Sequence, residues 1–272
     1  MPSQSPYGDS SPRGRALEYF ANHLSSDRQK PKPLTLGEVA FSQENDEEGN
    51  LKRYYKETIM TRLILVRHGQ STGNQLHIIT GQGDFPLTEL GRAQAKKAAA
   101  WLSENETITK IYSSDLSRAM QTADPTAEAF SLPIALDERL RELDMGLLVH
   151  RPRPDWAEFF PDNWRLWCED YPHYRAPEGE SMPELYARTV EALCEIAANN
   201  DGECVAVFCH QGVMRCFETY VRGLPCDEIE QTPRGKNASI AIYTYEDGAF
   251  TSLAYDFTEH LEDTQTGATF GL

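Results

Sequence analysis

From Met60 onward, short apolar runs alternate with longer stretches whose apolar residues recur at helical spacing. Residues 62–66, Arg-Leu-Ile-Leu-Val, form an aliphatic run that stops at polar residues and glycine, the pattern of a buried strand feeding a loop. Thr88 to about Asn105 is rich in Ala and Leu with polar spacing and predicts a helix. Residues 110–114 predict a strand and Ser117 to Phe130 a helix. At 181–184, Ser-Met-Pro-Glu combines a capping box with a proline in the first turn, so a helix starts there and runs to about Ala198. Glu203–Cys209 predicts a second buried strand, and Gly212–Val221 the helix after it. Residues 239–245 and 250–257 flank Glu246-Asp247-Gly248 and predict a closing hairpin. This alternation predicts an α/β fold: a three-layer sandwich with a mostly parallel central sheet, helices on both faces, and a site at the strands' C-terminal ends.

The pattern breaks near residue 60. Upstream the chain is rich in Ser, Pro and Gln, with an acidic patch at 43–50 and one amphipathic stretch at Leu17, Phe20 and Leu24. Residues 1–59 are therefore expected to be a partly ordered extension that docks a single helix. Residues 60–258 are expected to form the main folded domain and 259–272 a C-terminal tail. There is no internal repeat.

Composition narrows the function classes. Of 272 residues, 40% are hydrophobic and 25% charged, as in an ordinary globular protein. The net charge is −16, which argues against nucleic acid as a partner. Residues 1–59 hold 8 Lys/Arg and 9 Asp/Glu, so nearly all the excess lies in the domain. A far field of that sign repels anions, and a phosphate site must then be a local cluster of arginine and histidine. Six cysteines without a C-x-x-C pair read as reduced thiols, and the N-terminus lacks the apolar region of a secretory signal. No apolar run reaches the roughly 20 residues of a membrane span. The expected compartment is the cytosol, with no membrane association.

Four segments carry candidate chemistry. Arg67-His68-Gly69 and His210-Gln211-Gly212 each follow a predicted strand, Arg118 lies in the first turn of a helix, and Glu142 sits in a loop-like stretch. Each taken alone is a surface turn or a satisfied core residue. Together they suit phosphoryl transfer. Two arginines and a protonated histidine can hold three equatorial oxygens, a histidine can take the phosphoryl group, and a carboxylic acid can protonate the leaving oxygen. The glycine after His68 is expected to let a ligand approach the backbone.

Five segments in order resemble the phosphoglycerate mutase-like histidine phosphatases, over about Met60 to Tyr255. They are Leu65-Val-Arg-His-Gly-Gln-Ser-Thr-Gly-Asn74, Ser113 to Thr122, Leu140-Arg-Glu-Leu-Asp-Met-Gly146, Pro177-Glu-Gly-Glu-Ser181 and Cys209-His-Gln-Gly212. The resemblance implies a phosphohistidine on His68, with Arg67, Arg118 and His210 around the phosphoryl oxygens and Glu142 as proton shuttle. It further implies phosphate hydrogen bonds from Asn74 and Gln211, a substrate contact at Ser71, and a pocket loop at Thr80-Gly81 followed by Asp84. Glu180 is expected to orient a motif residue. No His/Cys/Asp set has ligand spacing, so neither a metal nor another cofactor is expected.

After Gly146 the chain departs from many relatives, reading Leu147-Leu-Val-His-Arg-Pro-Arg-Pro154. His150, Arg151 and Arg153 are read as a solvated basic loop, with a contact to a second anionic group as the alternative. Trp156, Trp164 and Trp167 are expected to pack a lid helix, with sugar stacking as the alternative. A phosphatase of phosphate monoesters is the favoured reading. A cofactor-dependent phosphoglycerate mutase is the runner-up, because the segment between Glu142 and Glu180 lacks the arginine pair and proline run of mutases, while Lys236-Asn-Ala-Ser-Ile240 resembles the phosphatase branch. A silent module binding phosphorylated ligands or phosphoproteins is the alternative of another class. The substrate, a small phosphorylated metabolite or a phosphoprotein, and a homodimer are left open.

Overall fold

A computed structural model describes residues 41–45, 51–55 and 60–265. The chain divides into two units, Met1–Thr58 and Ile59–Leu272. In the first, strands β1 (Phe41–Asn45) and β2 (Leu51–Tyr55) pair antiparallel. The sequence pattern predicts no strand there, because neither short segment alternates apolar and polar residues and β1 runs into the acidic 43–50 patch. The register sets Glu44 opposite Lys52. The helix expected around Leu17, Phe20 and Leu24 lies outside the described residues.

The second unit is built on a six-stranded mixed sheet in the order β5-β4-β6-β3-β7-β8. The strands are β3 (Thr61–Arg67), β4 (Lys110–Ser113), β5 (Ile134–Leu136), β6 (Cys204–Cys209), β7 (Ile240–Glu246) and β8 (Ala249–Phe257). The four from β5 to β3 are parallel, while β7 and β8 form the antiparallel hairpin. Its helices are α1 (Thr72–Gln75), α2 (Glu89–Asn105), α3 (Ser117–Phe130), α4 (Arg153–Phe159), α5 (Pro161–Glu169), α6 (Met182–Ala198) and α7 (Gln211–Val221).

The apolar run of β3 explains the layering. Successive side chains on a strand point to opposite faces. Leu63 and Leu65 join a core with Leu193, Val213 and Phe217 of α6 and α7, while Ile64 and Val66 join one with Ala98, Leu102 and Ala123 of α2 and α3. Both faces of the strand are thus dry, which is why it is not alternating in polarity. Each such Leu, Ile or Val contributes about 1.5–3 kcal/mol on burial, so the loops leaving β3 and β6 start from stiff ends.

The helix α6 begins with the expected capping box: the Ser181 hydroxyl accepts from Glu184 N–H, and Glu184 Oε2 accepts from Ser181 N–H. All six cysteines are free thiols; Cys209 and Cys216 are buried and Cys168 is exposed. Among the described residues no helix is long and apolar enough to cross a membrane.

Candidate active site

Register brings the two histidine loops together. Arg67 on β3 stands level with Cys209 on β6, so His68 and His210 leave neighbouring parallel strands side by side. Their ring centroids are 5.2 Å apart. Ser114 leaves β4 at the same edge, and its hydroxyl lies 2.9 Å from His210 Nε2. Arg67, His68, Arg118, Glu142 and His210 are all at least 97% buried, an unusual density of titratable groups.

The tautomer of His68 follows from its contacts. Its Nδ1 lies 2.7 Å from the Gly69 carbonyl, which can only accept, so Nδ1 carries the hydrogen and Nε2 the lone pair. Burial, and then the charges of Arg118 and Arg67, hold the imidazole well below its usual pKa of 6.5. His210 is lowered in the same way, by burial and Arg118, so the protonated histidine expected from the sequence is neutral in the unliganded site. An incoming phosphate dianion favours its protonation.

Gly69 differs from expectation. A Cβ there would lie 2.5 Å from the Gly91 carbonyl oxygen, so the glycine accommodates the start of α2 rather than a ligand. The loop is held by neighbouring helices: Thr122 Oγ1 accepts from Gly69 N–H, and Gln94 Oε1 accepts from Gln70 N–H.

Several buried donors of these residues lack a protein acceptor. Arg67 Nη1 donates to the Gly235 carbonyl at 2.7 Å, and Arg118 donates to Gly81 and Gly83 carbonyls at 2.7 and 2.8 Å. Yet Arg67 Nε, Arg118 Nε, His210 Nδ1 and Gln211 Nε2 are buried with no partner, and so is the acceptor Gln211 Oε1. Burial pulls each guanidinium down to about 10, still charged at neutral pH. Such donors are costly to bury unless an anion satisfies them.

The carboxylate of Glu142 faces this cluster. Oε1 accepts from Leu143 N–H at 2.8 Å and Oε2 from Gly212 N–H at 3.1 Å. Burial raises its pKa above 4.5, against the lowering effect of those N–H groups, Arg118 and Arg67. Asp144 differs: it is half-buried, and its Oδ1 accepts from Gly146 N–H.

Other expected residues also make contacts within the protein. Ser71 is fully buried, and its hydroxyl donates to Asn74 Oδ1 and accepts from Asn74 N–H. It caps the helix that follows. Asn74 Oδ1 also accepts from Asn237 Nδ2, which donates to the His68 carbonyl as well. Thr80 and Gly81 are buried in the loop that Arg118 ties down, and Asp84 Oδ1 accepts from Ser117 N–H at the start of α3. His150 is exposed with its ring 4.8 Å from that of Phe85. Arg151 donates to the Leu147 carbonyl and lies 5.4 Å over the Phe160 ring. The Arg153 side chain lies outside the described residues. Trp156, Trp164 and Trp167 pack with Tyr171 and Tyr174 on α4, α5 and the following turn.

Sequence reasoning missed four contributors: Ser114, Asn237, Thr122 and Arg188. Arg188 grips Glu180 with two nitrogens at 2.7 and 2.8 Å and donates to the Arg139, Arg141 and Glu142 carbonyls. Glu180 therefore orients Arg188, and Arg188 fixes the loop carrying Glu142. Ser114 and Thr122 stood inside the quoted 113–122 segment, but nothing in their spacing distinguishes them.

Residues 63–258 match the histidine phosphatase superfamily, branch 1. The chain belongs to this superfamily. It is 38% identical over 197 residues to the "Probable phosphoglycerate mutase GpmB" of Yersinia pestis, covering 72% of this chain and 90% of that protein. Among solved structures, Bacillus stearothermophilus YhfR matches with a TM-score of 0.70 at 28% identity, over 74% of this chain and 99% of its own. The mycobacterial glucosyl-3-phosphoglycerate phosphatase matches with a TM-score of 0.67 at 27% identity, over 73% and 100%. The superfamily's α/β fold is the one described above.

A Cβ at Gly212 would lie 2.2 Å from Glu142 Oε1. Gly212→Ala should therefore displace the carboxylate and, under the proton-shuttle role that the resemblance implies for Glu142, lower kcat on alkyl phosphates by about 10²-fold, the low end for losing a general acid. Loss of equal size on p-nitrophenyl phosphate, whose leaving group departs without a proton, would show that the effect does not run through Glu142.

Proposed function

We propose that the chain is a phosphatase of phosphate monoesters working through a phosphohistidine on His68. The observation that carries this is the His68 tautomer: Nδ1–H is spent on Gly69, and the lone pair of Nε2 is left free on a ring within electrostatic reach of Arg118 and Arg67. In the first step Nε2 bonds to phosphorus, the ester P–O bond breaks, and the Glu142 carboxyl gives its proton to the leaving oxygen. In the second, water attacks phosphorus, the N–P bond breaks, and the water's proton returns to Glu142. Arg67, Arg118 and His210 hold the phosphoryl oxygens through both steps, with Gln211 and Asn74 adding hydrogen bonds. The loop Thr80-Gly81 lines the pocket.

Positive charge comes from Arg67 and Arg118, so no metal is needed to neutralise the phosphoryl group. Turnover should persist in excess EDTA; a complete loss restored by a divalent cation would reject this part.

The printed name of the Yersinia relative favours a mutase as second reading. Against it, arginines of the 147–175 segment engage neighbours there and on α6: Arg151 with Leu147, Arg165 with Glu169, Arg175 with Glu184. Incubation with 3-phosphoglycerate, with and without 2,3-bisphosphoglycerate, separates the two. A phosphatase releases inorganic phosphate in both; stoichiometric 2-phosphoglycerate with little free phosphate would establish the mutase.

A further inference from the structure

The segment expected to be a C-terminal tail is docked on the domain. Residues 259–264 form a short 3₁₀ stretch kinked at Glu262, and Leu261 within it is fully buried. Lys97 of α2 donates to the Leu261 carbonyl at 3.1 Å and pairs with Glu262 and Asp263 at 3.1 and 3.0 Å. One turn further along α2, Trp101 packs with Phe257 and His260 at 5.0 and 6.3 Å between ring centroids. These contacts set the Thr264 carbonyl beside Gln94, which donates to it from Nε2 at 2.7 Å.

Gln94 is fully buried, and the other end of its amide works on the catalytic loop: Oε1 accepts from Gln70 N–H at 2.8 Å. A backbone N–H can only donate and a carbonyl can only accept, so the two partners fix which end of the amide faces which. The peptide unit that carries Gln70 N–H also carries the Gly69 carbonyl, and in a planar trans peptide the two point in opposite directions. That carbonyl is the one that accepts from His68 Nδ1 at 2.7 Å. A line of hydrogen bonds therefore runs from the Thr264 carbonyl through the Gln94 amide and the Gly69–Gln70 peptide to the His68 ring.

This peptide follows a glycine, the residue that leaves a peptide plane freest to turn. The peptide before it is clamped from both sides: Ala238 N–H and Asn237 Nδ2 donate to the His68 carbonyl, and Thr122 Oγ1 accepts from Gly69 N–H. Thr88 N–H holds the next carbonyl, that of Gln70. Between them, Gln94 takes the Gln70 N–H. With the Gly69–Gln70 peptide turned over, that N–H would face the ring, Nδ1 would become the acceptor and the proton would sit on Nε2. The lone pair that attacks phosphorus would then be gone.

We propose that Gln94, backed by the Thr264 carbonyl, is a positioning residue that sets the His68 tautomer through the Gly69–Gln70 peptide. It acts through that peptide and not on the reacting atoms. The inference rests on the phosphatase reading for His68 as nucleophile, but the tautomer is read without turnover.

The test is a long-range ¹H–¹⁵N correlation spectrum of protein labelled in its histidine nitrogens, with the His68 signals assigned by their absence from His68→Ala. Wild-type protein should show His68 protonated at Nδ1. In Gln94→Met, similar in shape but without the amide, the Nε2–H form should become populated. Its kcat on p-nitrophenyl phosphate should fall about tenfold, the scale of one net hydrogen bond. KM should hold, because Arg67 and Arg118 are anchored separately through Gly235, Gly81 and Gly83. Gln94→Glu keeps an oxygen for Gln70 N–H and, as a buried neutral acid, a hydroxyl for Thr264. It should return the single tautomer, with kcat within about threefold of wild type. If melts show Gln94→Met unfolded, Gln94→Asn, one methylene too short to reach both partners, takes its place with the same expectation. Nε2–H on His68 in the wild type, the wild-type tautomer in the folded Met or Asn variant, or a Gln94→Glu equally impaired overturns the proposal. Failure of the phosphatase reading shows separately, as absence of phosphate release by the wild-type protein whatever the tautomer.

Discussion

Glu142→Gln should lower kcat on alkyl phosphates by about 10²–10⁴-fold, the usual cost of removing a general acid, and cost far less on p-nitrophenyl phosphate. An alkoxide is a poor leaving group without a proton, whereas nitrophenolate departs unaided. The side chain is placed for the transfer, because Leu143 and Gly212 N–H groups fix both its oxygens and Arg67 and Arg118 lie within electrostatic reach. Burial raises its pKa above 4.5, and the anionic phosphate pushes it the same way, so the acid form persists at higher pH than in an exposed glutamate. Activity on alkyl phosphates should accordingly fall as pH rises through that pKa, and Glu142→Gln should abolish this limb. Asp144→Asn should change both substrates modestly, since Asp144 caps the Gly146 turn. The reverse ranking of the two variants would move the proton to Asp144.

His68→Ala should remove turnover on every phosphate monoester, including p-nitrophenyl phosphate, because the covalent route is lost whatever the leaving group. Anion binding should survive in the same protein, since Arg67, Arg118 and His210 are anchored independently of the His68 ring, through Gly235, Gly81 and Gly83, and Ser114. Measuring kcat beside the affinity for inorganic phosphate separates these. Residual turnover near the wild-type rate would exclude His68 as nucleophile.

The contrast between what the sequence revealed and what it hid follows from contact distance along the chain. The histidine loops were legible because each sits directly after an aliphatic run, so local pattern alone places them at one sheet edge. The supports were not. Arg188 reaches the Glu142 carbonyl across 46 residues, and Asn237 reaches the His68 carbonyl across 169. A polar residue acting through tertiary contact leaves no periodic trace. Gly69 shows a second kind of miss: a glycine beside a catalytic histidine suggests ligand approach, yet the backbone it meets belongs to α2. The β1–β2 pair was hidden because its short polar strands, FSQEN and LKRYY, carry no strand pattern, and the capping part of Ser71 is one that its motif does not mark.

Rapid quenching of wild-type protein during turnover of a ³²P-labelled monoester tests the central claim most directly. The account predicts label on the protein that is acid-labile and base-stable, mapped to the peptide containing His68, and absent from His68→Ala. Label on serine, aspartate or cysteine, or turnover with no phosphoprotein at any time, would contradict it.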